Sequence, residues 1–348
     1  MARSRTNERG QVLLIFAFII PVILGMTGMA VDIGTYAGKR RTLQNAADSI
    51  ALAAARDLPD QSAALASAQS WADKNQVDFA KVTVEVTPAG ASNPNPKVRV
   101  TINESHQFAF LRALGLKSRP VAASAVAIKT SPGGLAGLTP WAVLGSIQEA
   151  ADAGDPVILK YDSNQPTTGN FGIIRLDGSG SSVYEETLIN GSDSTVCADG
   201  VSTCAENSPE CVEGTCSSET GNKVGSTRTG LDAMISDTHP ACDTFDEVFT
   251  GPVDGRYSLD YDCNPWLEGS YPSHRVIILP VIASLCNGNC DYTVVRFAMF
   301  WLDGYDGDKC TGNACEIQGR FVDADVSVNA LSGVFDSDSS ILFVRLTE

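Results

Sequence analysis

Asp177-Gly178-Ser179-Gly180-Ser181 places a carboxylate and two hydroxyls at alternate positions directly after the apolar stretch GIIRL. Oxygen ligands on a strand-end loop suit a hard divalent cation, calcium or magnesium, so Asp177, Ser179 and Ser181 are candidate metal ligands. A plain Gly/Ser turn accounts for the same residues, and the downstream sequence favours it. A fold that uses such a loop needs strands alternating with amphipathic helices, whereas VYEETLINGSDSTVC supplies at most one short helix. Asp303, Asp306 and Asp308 in LDGYDGDKC have calcium-loop spacing but lack a glutamate placed for bidentate ligation, which favours a solvated turn. His106, His239 and His274 are scattered without metal-ligand spacing. With no GxSxG elbow, no glycine-rich phosphate loop and no nucleophile set beside a base, the expectation is a protein that is not an enzyme.

The ten cysteines, Cys197, Cys204, Cys211, Cys216, Cys242, Cys263, Cys286, Cys290, Cys310 and Cys315, all lie in the second half of the chain. An even number confined to one segment implies disulfides in an oxidising compartment, and the spacings are not the paired CxxC of a zinc ribbon. Connectivity stays open; the close pairs are the simplest choices. Charge is as unevenly spread. Up to Thr130 there are 15 Lys and Arg against 9 Asp and Glu, and beyond it 10 against 32, giving the overall −16. A nearly lysine-free acidic domain repels phosphate backbones, which excludes nucleic acid as a partner.

The elements that must position these residues begin with Val12 to Val31, twenty uncharged residues, the length of a transmembrane helix. The apolar stretch runs on through Asp32 into helix-compatible sequence, so it reads as a retained anchor, not a cleaved signal peptide. Pro21 would bend the span, and Gly25 and Gly28 would let a neighbour approach. Arg3, Arg5 and Arg9 before it are balanced by Lys39, Arg40 and Arg41 after it; bridged cysteines place the C-terminal bulk outside and the N-terminus in the cytoplasm. A stalk helix follows to Arg56 with a small-residue stripe through Leu43, Ala46 or Ala47, Ile50 and Ala54. Ser62 to Lys74 reads as a second helix, the alternating KVTVEVT and KVRVTIN as a hairpin, HQFAFLRALGL as a short helix, and Val121 to Ile128 as a third strand. Past Thr130 short apolar runs separated by Gly, Asp, Ser and Asn predict a β-rich domain in which only Arg228 to Ser236 invites a helix.

Residues 8–55, ERGQVLLIFAFIIPVILGMTGMAVDIGTYAGKRRTLQNAADSIALAAA, resemble the N-terminal module of TadE/TadG-like proteins of Tad (Flp) pilus assembly. The features are the Arg9-Gly10 lead-in, the Pro21-containing span, the Ala30-Val31-Asp32-Ile33-Gly34 exit and Gln44-Asn45-Ala46-Ala47-Asp48. The resemblance is of TadG-like type, with a β-rich outer domain, and it implies no catalytic residues. Polymerising pseudopilins carry a Glu five residues after the processing Gly; counted from Gly10 that place holds Ile15, which speaks against filament incorporation. DxSxS is also the cation signature of von Willebrand factor A domains, which occur in TadG-like proteins.

The expected fold is α+β: cytoplasmic tip and transmembrane helix (1–34), stalk and small α+β unit (35–130), then an acidic, disulfide-containing β-rich outer domain (131–348). The expected function is a membrane-anchored component of a Tad/Flp-type pilus-assembly or secretion system, in contact with the lipid bilayer and with other pilus-assembly or surface proteins. The alternative is a surface adhesin or binding module using a divalent cation at the DxSxS loop.

Overall fold

The computed structural model describes residues 9–347 except 92, 152–153, 161–171, 203, 220, 222, 254, 267–270, 285–288, 306–309, 311–314, 326–330 and 338. The chain forms two compact units. The first comprises Met1–Ala89, Pro96–Ile128 and Arg345–Glu348, the second Gly90–Asn95 and Lys129–Val344.

The first unit is organised by α1 (Arg9–Arg56), a single 48-residue helix that continues through Pro21. Its large side chains from Ile15 to Ile33 are exposed, whereas Leu43, Ala46, Ala47, Ile50, Ala51 and Ala54 are buried. One helix thus changes environment along its length. The buried half packs against α2 (Gln61–Lys74) through Ala64, Ala68 and Ala72, and small side chains on both helices let the backbones approach closely. Asp60 caps α2, its carboxylate accepting from the N–H groups of Ser62 and Ala63. Strands β1 (Val82–Thr87), β2 (Lys97–Gln107) and β3 (Ser118–Thr130) form an antiparallel meander, with Val98, Val100 and Ile102 of β2 buried. The alternation in KVRVTIN therefore does what period-two patterning should: one face is core and the other is not.

One expectation fails here. HQFAFLRALGL is not a short helix: β2 runs on to Gln107, β3 starts at Ser118, and only a single 3₁₀ turn, Leu111–Leu114, lies between them. The cause is tertiary and is described below.

The second unit is built on a seven-stranded sheet whose main path runs β5 (Val143–Leu144), β12 (Val276–Ile282), β13 (Asp291–Tyr305), β14 (Ile317–Phe321), β6 (Pro156–Lys160). All seven positions of β12 are buried, so it is covered on both faces. Ile277, Leu279, Ala298, Phe300 and Phe321 face one way, against Tyr184, Leu188, Leu231 and Met234 of helices α4 (Ser181–Asn190) and α5 (Val224–Asp237). Ile278, Ile282, Phe297, Met299 and Trp301 belong to the core of the other face. A Cβ at Gly230 would lie 2.6 Å from Leu188, which is why α5 carries glycine where it crosses α4. A short helix α3 (Gly145–Ala150) follows β5 and another, α6 (Phe245–Val248), follows Thr244, so the second unit holds more helix than its sequence pattern suggests.

Smaller elements complete this unit. β4 (Pro132–Leu135) pairs with β7 (Val196–Cys197) and β16 (Leu331–Ser332); β8 (Cys211–Val212) and β9 (Thr215–Ser217) form a hairpin whose second strand pairs with β13. β10 (Phe249–Val253), β11 (Arg256–Leu259), β15 (Ala324–Asp325) and β17 (Ile341–Leu346) adjoin in that order. The segment Pro132–Leu135, just past the division between the units, is fully buried strand. Disulfides join Cys197–Cys204, Cys211–Cys216, Cys242–Cys263 and Cys310–Cys315, and Cys290 is also bridged. Cys286 lies outside the described residues.

Candidate functional site

The strongest constellation among the described residues surrounds Asp32, the first charged residue after the apolar run. It is only 1% exposed. Oδ1 accepts from the Ala109 N–H (2.9 Å), and Oδ2 from the N–H groups of Phe110 (2.9 Å) and Leu111 (2.6 Å). Three consecutive amides aimed at one carboxylate form a small anion nest, and these charge-assisted bonds replace the intrahelical ones that HQFAFLRALGL would otherwise make. The Phe110 ring lies on Gly28, one turn earlier on α1, where an added Cβ would come within 2.7 Å of it. Gly28 is therefore occupied from within the chain, whereas Gly25 has nothing within 4 Å.

Further along α1 the β2–β3 hairpin stays in register with the helix. Tyr36 packs against His106 and Phe108 and donates to the Pro120 carbonyl (3.2 Å). Lys39 pairs with Glu104 at 2.7 Å. Gln44 donates both to the Ser124 carbonyl (2.9 Å) and to Asp48 (2.8 Å). The Gln44-Asn45-Ala46-Ala47-Asp48 stretch thus divides its work: the alanines are core, and Gln44, braced by Asp48, clips the helix to β3. From Gly28 to Gln44 the contact line extends about 24 Å along the helix axis.

The DxSxS loop is organised differently from a cation site. Asp177 Oδ1 accepts from Ser192 Oγ (2.9 Å) and the Ser194 N–H (3.1 Å), and Oδ2 accepts from Thr187 Oγ1 (3.1 Å). Its oxygens tie the start of α4 to the loop that follows it. Ser179 is exposed. Ser181 accepts from the Lys223 ammonium at 3.3 Å, a positive charge where a cation would have to sit. Of the aspartates in LDGYDGDKC, Asp303 accepts from Trp301 Nε1 and Arg320 Nε, while Asp306 and Asp308 lie outside the described residues. Glu206, Cys211 and Cys216 converge as metal ligands would, but the two cysteines are bridged to one another and offer no thiolate. A cleft of about 340 Å³ is lined by Asp243, Phe245, Arg275, Trp301, Asp303 and Arg320. Both of its arginines are paired, Arg275 on Asp243 at 2.6 Å and Arg320 on Asp303 at 3.1 Å.

The same loop carries an electrostatic anchor that no sequence motif marks. Glu219 accepts from the Gly180 N–H (3.2 Å) and pairs with Arg175 (3.0 Å) and Lys223 (3.1 Å). Burial acts to raise its pKa, but the Lys223 ammonium, the Gly180 amide and Arg175 together hold it below the ordinary 4.5. A depressed carboxylate contributes stability above its unfolded pKa and loses it as pH falls through the folded value. Acidification from about pH 5 to about pH 3 should therefore lower the thermal midpoint of the wild type more than that of Glu219→Gln, followed by calorimetry.

No curated protein and no solved structure matches the chain. The α1 module that carries Asp32, residues 10–57, matches the Tad family model, described as "Putative Flp pilus-assembly TadE/G-like".

Proposed function

We propose that this protein is a membrane-anchored component of a Flp-type pilus-assembly or secretion system, acting by structure and interaction and not by catalysis. The family match over residues 10–57 supports involvement in Flp pilus assembly. The observation that carries the reading is α1 itself: from Ile15 it is long and apolar enough to cross a bilayer, and only 11% of its most apolar window is buried within the chain. The same helix then becomes the core of the first unit. In this reading the N-terminus is cytoplasmic and the disulfide-bonded unit is extracytoplasmic, where an acidic surface and bridged cysteines suit an oxidising exterior. The partners are other pilus-assembly or surface proteins.

Protease treatment of intact cells, combined with non-reducing mass mapping of membrane fractions, tests it. The second unit should be clipped from outside with its bridges intact while α1 stays in the membrane, and deletion of the gene should abolish pilus assembly in the producing cell. A reduced, protease-protected second unit would reverse the orientation; normal pili in the deletion strain would remove the assembly role.

A further inference from the structure

The tip of the β2–β3 hairpin exposes three large apolar side chains: Phe110 at 54%, Leu114 at 72% and Leu116 at 57%. Soluble surfaces carry single exposed apolar residues without consequence, but three within seven residues of one tip form a patch. Its place on α1 is fixed twice, by the Asp32 carboxylate on the amides of 109–111 and by the Phe110 ring on Gly28. Gly28 lies inside the apolar run that ends at Val31. The tip is thus pinned at the level where the helix leaves hydrocarbon, beside exposed Met29, Val31 and Ile33 of α1.

Charge points the same way. Residues 107–120 contain Arg112, Lys117 and Arg119, all exposed, and no acid, in a chain whose net charge is −16. Apolar side chains flanked by cations are the composition of an interfacial segment: the apolar groups enter the acyl boundary and the cations meet phosphate. The acid that meets the tip, Asp32, has both oxygens committed to amides, which offsets the penalty of holding a carboxylate at the edge of hydrocarbon.

We infer that the β2–β3 hairpin tip is a second membrane contact, inserting Phe110, Leu114 and Leu116 beside α1 into the leaflet at which α1 exits, with Arg112 and Lys117 on phospholipid headgroup phosphates. This rests on the reading of α1 as a bilayer span. It makes the anchor two-legged.

The test places an environment-sensitive fluorescent amino acid at Leu114, which is too exposed for the label to disturb packing, or at Val22 within the span. The full chain is reconstituted in phosphatidylcholine vesicles with and without phosphatidylglycerol. Both labels should be quenched by acyl-chain spin-labelled lipid and show a several-fold loss of iodide quenching relative to the free dye in water. The label at 114 should shift further to the blue with phosphatidylglycerol, and Arg112→Gln with Lys117→Gln should abolish that extra shift. If the label at 22 is lipid-quenched while that at 114 stays open to iodide, the tip contact is overturned and the span stands. If both are open to iodide, the span reading fails and takes the proposal with it. If phosphatidylglycerol changes nothing at 114, the headgroup contact is overturned.

Discussion

Alanine in place of Asp32 should free the hairpin tip from α1 while leaving the helix itself intact. The substitution removes the acceptor of three backbone amides at once, those of Ala109, Phe110 and Leu111. Buried or half-buried donors stripped of a charged partner are among the costlier losses in a fold. Amide exchange at 109–111 should accelerate by about tenfold or more, and Arg112 should become a preferred tryptic site. The Asp32→Asn substitution is a sharper test of the geometry. The donors are split between Oδ1 and Oδ2, and an asparagine offers one acceptor oxygen and turns its NH₂ towards the remaining amide, so D32N should fall between wild type and D32A. Equal exchange rates in all three proteins would show that contacts other than the Asp32 bonds, the Phe110–Gly28 packing among them, hold the tip.

Removing the Cys242–Cys263 bridge by paired alanine substitutions should produce the largest loss among the described disulfides. It closes the longest loop, a separation of 21 residues, against 7 for Cys197–Cys204 and 5 for Cys211–Cys216 and Cys310–Cys315. On the chain-entropy account that loop contributes about 3 kcal/mol, compared with about 2 kcal/mol for a five-residue loop. For a unit of this size the thermal midpoint should fall by roughly 6–12 °C. The bridge also holds the turn Pro240–Cys242 against the approach to β12: Ser273 donates through Oγ to the Cys242 carbonyl (2.8 Å) and through its N–H to the Cys263 carbonyl (2.9 Å). Both cysteines are buried, so the variant should also become less cooperative around the start of β12. Calorimetry of C242A/C263A beside C211A/C216A gives the comparison; equal losses would refute the loop-length argument.

What was legible in the sequence follows a physical division. Val12 to Val31 stands out because a bilayer demands an unbroken run, and KVTVEVT and KVRVTIN because a half-buried strand imposes period two. Of the described bridges, Cys211–Cys216 and Cys310–Cys315 are the close pairs that spacing favoured, while spacing left Cys197–Cys204 and Cys242–Cys263 open. HQFAFLRALGL has apolar residues at helical intervals, yet a carboxylate 77 to 79 positions away holds it as a strand end and a single turn. Local pattern cannot report a partner so distant. Helices α3 and α6 escaped because they are short, and α4, allowed at most as one short helix, starts at Gly180-Ser181 with no capping side chain to mark it. Asp177 invited a metal reading on spacing alone. Its hydrogen-bond partners Thr187, Ser192 and Ser194 lie further along the chain, within α4 and beyond its end, where no ligand motif records them.

The unbroken course of α1 has a mechanical meaning. At 48 residues it is about 72 Å long, and no non-helical residue separates its exposed apolar part from its alanine-lined part. Two segments joined by a loop could swivel independently; one helix, whose ladder lacks only the donor at Pro21, is far more constrained. If α1 spans a bilayer as proposed, any tilt that a thinner or thicker membrane imposes on it is passed as a rotation to β2 and β3, which are clipped to the same helix at Asp32, Lys39 and Gln44. In the proposed reading of α1 as a bilayer span, a pull on the first unit is likewise carried along the helix axis towards the lipid.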